Sequence, residues 1–267
     1  MSATTAAPAG TRAGGVGLRH AARMEWIKLR SLRSPLWALL LVVVTMIGTG
    51  VVTMANTEAP GGGGGGAGFD PTNNVLAGIA FGQLVVGAVG VLVVTGEYTT
   101  GSIRTTLAAV PNRPLLLGAK AAVFGGLSLV VGEVVTVVTF LVGRAVLSPD
   151  VPKPELGDGG VLRAVLLSGL YLPMIGLIGV GLGALVRHTA GALAGLVGVT
   201  LVLPAMAAGF TGTTVARFFP TLIAGNSLAV SRPLHDMLSP WAGLGLMCLY
   251  TALALAAGAV VIGRRDA

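Results

Sequence analysis

The chain has 267 residues, 54% of them hydrophobic and only 10% charged, with 42 glycines and a formal net charge of +7. A soluble domain carries about 25% charged residues, so these few charges leave too little to coat a water-facing surface, and lipid must solvate much of the chain. The basic excess is concentrated in flanks of apolar runs rather than spread as a nucleic-acid surface, and the single cysteine, Cys248, excludes an intrachain disulfide and a cysteine-rich metal site.

Residues 1–17 are mostly Ala, Thr, Gly and Pro and predict a disordered tail. Residues 18–267 then form a single membrane domain. The segment 18–33 predicts a helix. At 100° per residue, Arg19, Arg23, Arg30 and Arg33 fall in one sector. Leu18, Ala22, Leu29 and Leu32 fall in the adjacent one, with Trp26 near the boundary and Glu25 interrupting the apolar side. An interfacial helix on the inner leaflet fits this pattern. A positively charged flank without special structure is the alternative.

A membrane-spanning helix needs about 20 mostly apolar residues. Six segments meet that standard, at about 35–55, 75–95, 115–142, 161–186, 189–210 and 240–262. They are apolar all round, without the alternation of barrel strands. The first run is longer than the apolar core of a signal peptide and predicts a retained helix. With both termini in the cytoplasm, 12 Lys and Arg residues lie inside and 5 outside (Arg144, Lys153, Arg163, Arg217 and Arg232), as the positive-inside rule requires. The expected class is therefore an all-α integral membrane protein with six transmembrane helices and both termini cytoplasmic.

The connections differ in character. The first outer loop has Glu58, Asp70 and six glycines at 61–66; a flexible tether explains the glycines better than a nucleotide loop, since no strand precedes them. The loop 143–160 contains Pro149, Pro152 and Pro154 and reads as a solvated connection. Segment 211–239 holds Phe218, Phe219, Leu222, Ile223, Leu228 and Val230 but is broken by Pro220, Gly225 and Pro233. It predicts either short re-entrant helices before the last span or a loop folded onto the bundle.

Within the spans, Glu133 lies midway along the third, where an acid is costly. It either lines a substrate or proton path or bonds a neighbouring helix. Pro173 and Pro204 predict kinks. Gly78/Gly82, Gly179/Gly183 and Gly191/Gly195 have the spacing of close helix contacts. His20, His188 and His235 have no metal-ligand spacing, and Ser227 lacks a nucleophile-elbow glycine. No nucleophile–base pair is legible, so an enzyme is not expected.

The segment 96–114, GEYTTGSIRTTLAAVPNRP, is by topology the first cytoplasmic loop. Ile103, Leu107 and Val110 share one helical face and Pro111 ends the helix. Antiparallel helices need only about 2–8 residues to connect, so this loop has length to spare for a contact surface. The run from Glu97 through Gly101, Ser102, Leu107, Pro111 and Arg113 to Gly118 and Lys120 resembles the first cytoplasmic loop of permease subunits of type-2 ABC exporters. The stretch Glu25, Trp26, Lys28, Leu29, Arg30 and Ser31 resembles the entry segment of their bacterial members. That resemblance implies a transmembrane subunit of an exporter in a bacterial cytoplasmic membrane, whose loop helix is a coupling helix resting on a separate ATPase. It implies ATPase-coupling roles for Glu97, Gly101, Arg104, Leu107 and Arg113, with Glu97 bonding a cation of the partner or of a neighbouring helix and Arg104 and Arg113 facing the cytosol. It also implies a second permease subunit, identical or not, surrounding lipid, and no nucleic acid. The chain has no phosphate-binding loop, so it needs no cofactor of its own; ATP and magnesium would sit on the ATPase. The competing readings are an ion-coupled secondary transporter using Glu133, and a non-transporting anchor or sensor subunit.

Overall fold

The computed structural model describes residues 17–31, 33–57, 71–227, 229–230 and 237–264. Residues 1–16 of the expected tail, the glycine run at 61–66, and Glu58, Asp70, Leu228, Arg232, Pro233 and His235 lie outside the described residues. The described residues form helices and no strand. In chain order these are α1 (Leu18–Ser31), α2 (Arg33–Ala55), α3 (Pro71–Thr99), α4 (Ile103–Ala109), α5 (Arg113–Val146), α6 (Val161–Val186), α7 (Thr189–Thr211), α8 (Thr213–Ala216), α9 (Pro220–Leu222) and α10 (Pro240–Arg264). Five of them, α3, α5, α6, α7 and α10, are long and apolar enough to cross a membrane. Helix α2 covers the first expected span with 23 residues and carries a shorter apolar stretch, Leu40–Ala55.

Helix α6 is the centre of the bundle. It packs on α3, α5 and α10. In its apolar stretch 72% of residues are buried, against 17% in α7 and in α10, which turn most of their side chains outward. Glycine makes this centre possible. A Cβ on Gly90 would overlap the Gly176 carbonyl, and one on Gly179 would overlap the Gly87 carbonyl. Backbones therefore meet directly between α3 and α6, as small residues permit in membranes. Of the three spaced glycine pairs, Gly78/Gly82 meets Met46 of α2 and Gly179/Gly183 meets α3, whereas Gly195 faces open space.

Contacts fix the direction of every long helix. Gly50 and Met46 of α2 meet Val75 and Gly78 of α3, so these two run antiparallel. Gly125 and Gly132 of α5 meet Leu177 and Gly169, which makes α5 antiparallel to α6. Helices α3 and α6 run parallel, with Gly87 on Gly179 and Val91 on Gly183. Helix α7 opposes α3, since Leu196 meets Gly87 while Thr189 meets Thr99. Helix α10 follows α6, with Ala254 on Gly181 and the Val261 carbonyl on Arg187. The chain thus reverses at each connection between long helices. As a result α1, α4, the start of α5 and the ends of α6 and α10 gather at one end of the bundle.

The two prolines act locally. Pro173 lies inside continuous α6 and has no amide to give the Gly169 carbonyl. That carbonyl faces Gly132 of α5, where a Cβ would sit 2.7 Å from it. Pro204 likewise denies a donor to the Thr200 carbonyl, and α7 widens to a π turn over Gly198–Val202. The segment before the last helix contains α8, α9 and a π turn, Ile223–Ser227, with Ala216, Pro220 and Ile223 buried.

Candidate functional site

The connection between α3 and α5 is built for rigidity. Gly101, at φ +72°, makes the left-handed turn that separates α3 from α4. Asn112 accepts a hydrogen bond from the Leu115 amide at 3.1 Å and caps α5, with Pro114 in its first turn. Between these two stops, α4 buries Ile103 and Thr106 and half-buries Leu107, with Val110 buried just beyond it. Their partners are Ala21 and Met24 of α1, Tyr98 of α3, and Leu115, Leu116 and Ala119 of α5. The apolar face of α4 therefore rests on protein. Its other face, Arg104, Thr105, Ala108 and Ala109, is exposed.

Beneath α4 lies a cluster of four charges. Lys120 of α5, only 3% exposed, donates to Glu25 of α1 at 2.9 Å and to Glu97 of α3. Lys28 of α1 also donates to Glu97. Two carboxylates and two ammonium groups cancel, which is how ionised side chains are tolerated in a low-dielectric setting. The cluster ties three helices at one point. It also fixes which side of α1 meets the bundle. The face turned to the bundle runs through Ala21 and Glu25, while Leu18, Trp26 and Ile27 are exposed. Glu25, an interruption of the apolar sector in sequence, is the anchor of the helix in space.

A second tie lies beside the first. Arg113 donates to the Ile262 carbonyl at 3.2 Å, and Arg187 to the Val261 carbonyl at 2.9 Å. Both carbonyls belong to the last described turn of α10, and the final carbonyls of a helix lack donors within it. Two guanidinium groups satisfy this end and complement its partial negative charge. Arg187 holds a left-handed backbone, φ 58°, and stacks over Tyr98 with 5.5 Å to the ring centroid. Arg113 is thus turned to α10, in contrast to the cytosol-facing position expected for it.

The structure brings Glu97, Leu107 and Arg113 into one region with Gly101 and Arg104 on its open side. Glu133 stands apart, about 20 Å along α5 from Lys120. Its side chain lies against Gly169, where a Cβ would overlap the carboxylate. Its Oε2 has no hydrogen-bond partner among the described residues. No family model and no curated protein matches the chain.

Near the middle of the bundle, on the side remote from α4, is a polar chain that the sequence did not reveal. Tyr171 donates to Gln83 Oε1 at 2.5 Å. Gln83 Nε2 donates to the Ala80 carbonyl at 3.2 Å and to Thr221 at 3.3 Å. Thr221 in turn donates to the Thr200 carbonyl, the one left without its α-helical donor by Pro204. Gln83 was the detectable signal, an amide within an apolar run, and its depth alone marked it for a partner.

Proposed function

We propose that this chain is the transmembrane permease subunit of an ATP-binding-cassette exporter, multi-pass in a bacterial cytoplasmic membrane, with α1 lying on the inner leaflet and α4 acting as the coupling helix. Six alternating long helices support six crossings with both ends of the chain inside. The observation that carries the reading is the way α4 is mounted. Its inner face is packed on α1, α3 and α5, and its outer face is open. Directly below it, Glu97 and Lys120 tie α3 to α5 and α1, and Arg113 ties α5 to α10. A push on α4 cannot be absorbed by a slack loop, and so passes into four helices.

A separate ATPase would supply that push, binding ATP and magnesium in its own domain. A second permease subunit, identical or different, would complete the pathway. Arg104, Thr105 and Ala108 form the face offered to the ATPase. Glu97, Leu107 and Arg113 act from behind it as positioning residues, and Gly101 sets the turn. The test is co-purification with an ABC ATPase subunit expressed from the same genome. Ala108→Arg and Arg104→Glu are expected to abolish co-purification without lowering thermal stability, because neither position is buried. Normal complex formation by both variants would overturn the assignment.

Glu133 supports a second reading, ion-coupled transport, because an acid with an unpartnered oxygen in the middle of a long apolar helix is suited to carrying a proton. In that case transport would collapse with the proton gradient and be lost in Glu133→Gln, while ATP depletion at a maintained gradient would leave it intact.

A further inference from the structure

The mid-bundle polar chain borders a cavity of about 280 Å³ in the half of the bundle remote from α4. Its walls come from the start of α3, the first half of α6 and the segment after α9. The polar lining is Asn73, Asn74, Gln83, Ser168 and Thr221, and the remainder is small or aliphatic, including Ala80, Ala164 and Ala224. Among the described residues, no ionisable side chain lines it. Arg163, near by on α6, donates instead to the Ala229 carbonyl at 3.4 Å.

Ser168 is the informative wall residue. It is 3% exposed. Helical serines in membranes commonly bond the carbonyl one turn back, as Ser128 does to Phe124 here. Among the described residues nothing hydrogen-bonds the Ser168 hydroxyl. In this position it faces the cavity, where an occupant can supply the missing bond. The cavity holds the bulk of about nine waters, slightly below the usual range for drug-sized ligands.

The lining decides the chemistry of the occupant. An apolar group would leave Ser168 unpaired, and a charged one would be stripped of water with no countercharge among the described wall residues. We infer that this cavity is a binding site for an uncharged, hydroxyl-bearing group about the size of one sugar ring, with Ser168 as a direct hydrogen-bonding residue. The site needs no ATPase and no transport, so it stands or falls separately from the exporter reading.

The test uses the full chain in nanodiscs with Cys248→Ser and a reporter thiol at Ala224→Cys in the wall. Methyl glucoside is expected to slow alkylation of that thiol at least fivefold at saturation, and glucose 6-phosphate and hexane are expected to leave it unchanged. A glucosylated diacylglycerol in the nanodisc forms the second arm. Protection by the lipid alone would identify the ring as a lipid headgroup, and protection by both would identify a site open to free sugars. Adding Ser168→Ala should cut the slowing to less than twofold at the same glucoside concentration yet leave the melting temperature unchanged or higher, since that hydroxyl makes no bond among the described residues. The inference is overturned if neither glucoside protects, if the phosphorylated sugar or hexane protects equally, or if Ser168→Ala protects as well as the parent.

Discussion

Buried polar side chains in this bundle sit where three helices need a common point. Lys120 is the clearest case, because it donates to both Glu25 and Glu97. Lys120→Ala would leave Glu25 buried without its cation and Glu97 with Lys28 alone. Removing one partner of a buried ion pair typically costs about 3–5 kcal/mol, so this variant should melt well below the parent in nanodiscs. Tyr171→Phe removes only a hydroxyl, but it strips Gln83 Oε1 of its donor. The expected loss is about 1–3 kcal/mol, smaller than for Lys120→Ala and readable in the same melting experiment. Sequence showed Glu97 and Lys120 as members of one motif. It did not show Glu25 or Lys28 joining them, because Glu25 and Lys120 are 95 positions apart and no local period links them.

At the scale of elements, close glycine contacts set how helices meet. Gly90 and Gly195 make a controlled comparison. Gly90→Ala puts a methyl group into the Gly176 carbonyl, where neither backbone can move aside, while Gly195→Ala adds one to open space. Overpacking typically costs about 1–3 kcal/mol, whereas alanine in an exposed helix position gains up to about 1 kcal/mol over glycine. Melting temperatures should therefore move in opposite directions for the two variants. Glycine spacing alone had marked Gly191/Gly195 on equal terms with Gly179/Gly183, and it missed Gly90 on Gly176. Spacing records which residues share a face of one helix; it says nothing of whether another helix is opposite. The amphipathic character of α4 was legible from Ile103, Leu107 and Val110. What it packs on was not, since an apolar face suits lipid and protein equally.

For the whole molecule, alternating helix directions place α4 and α8 at opposite ends of the bundle. If the bundle spans a membrane with α4 inside, a thiol at Ala108→Cys, with Cys248 replaced by serine, should react with an impermeant reagent only in inside-out vesicles. A thiol at Thr214→Cys should react only in right-side-out vesicles. Labelling of both from the same side would exclude the six-crossing arrangement, and labelling of Ala108→Cys from outside would place the coupling face beyond the reach of any cytosolic ATPase.

Composition and apolar run length determined the helical membrane character and the positions of the long helices, because a lipid-solvated chain has to satisfy its backbone hydrogen bonds within each helix. Proline and glycine punctuation determined where α4 starts and stops, since both act on the backbone within a turn of their own position. Only the tertiary structure decided that Glu25 anchors α1, that Arg113 and Arg187 hold the end of α10, and that Ser168 opens into a polar cavity with Gln83 and Thr221. These relations depend on which helix faces which, and that is fixed by side-chain and glycine contacts between residues far apart in the chain.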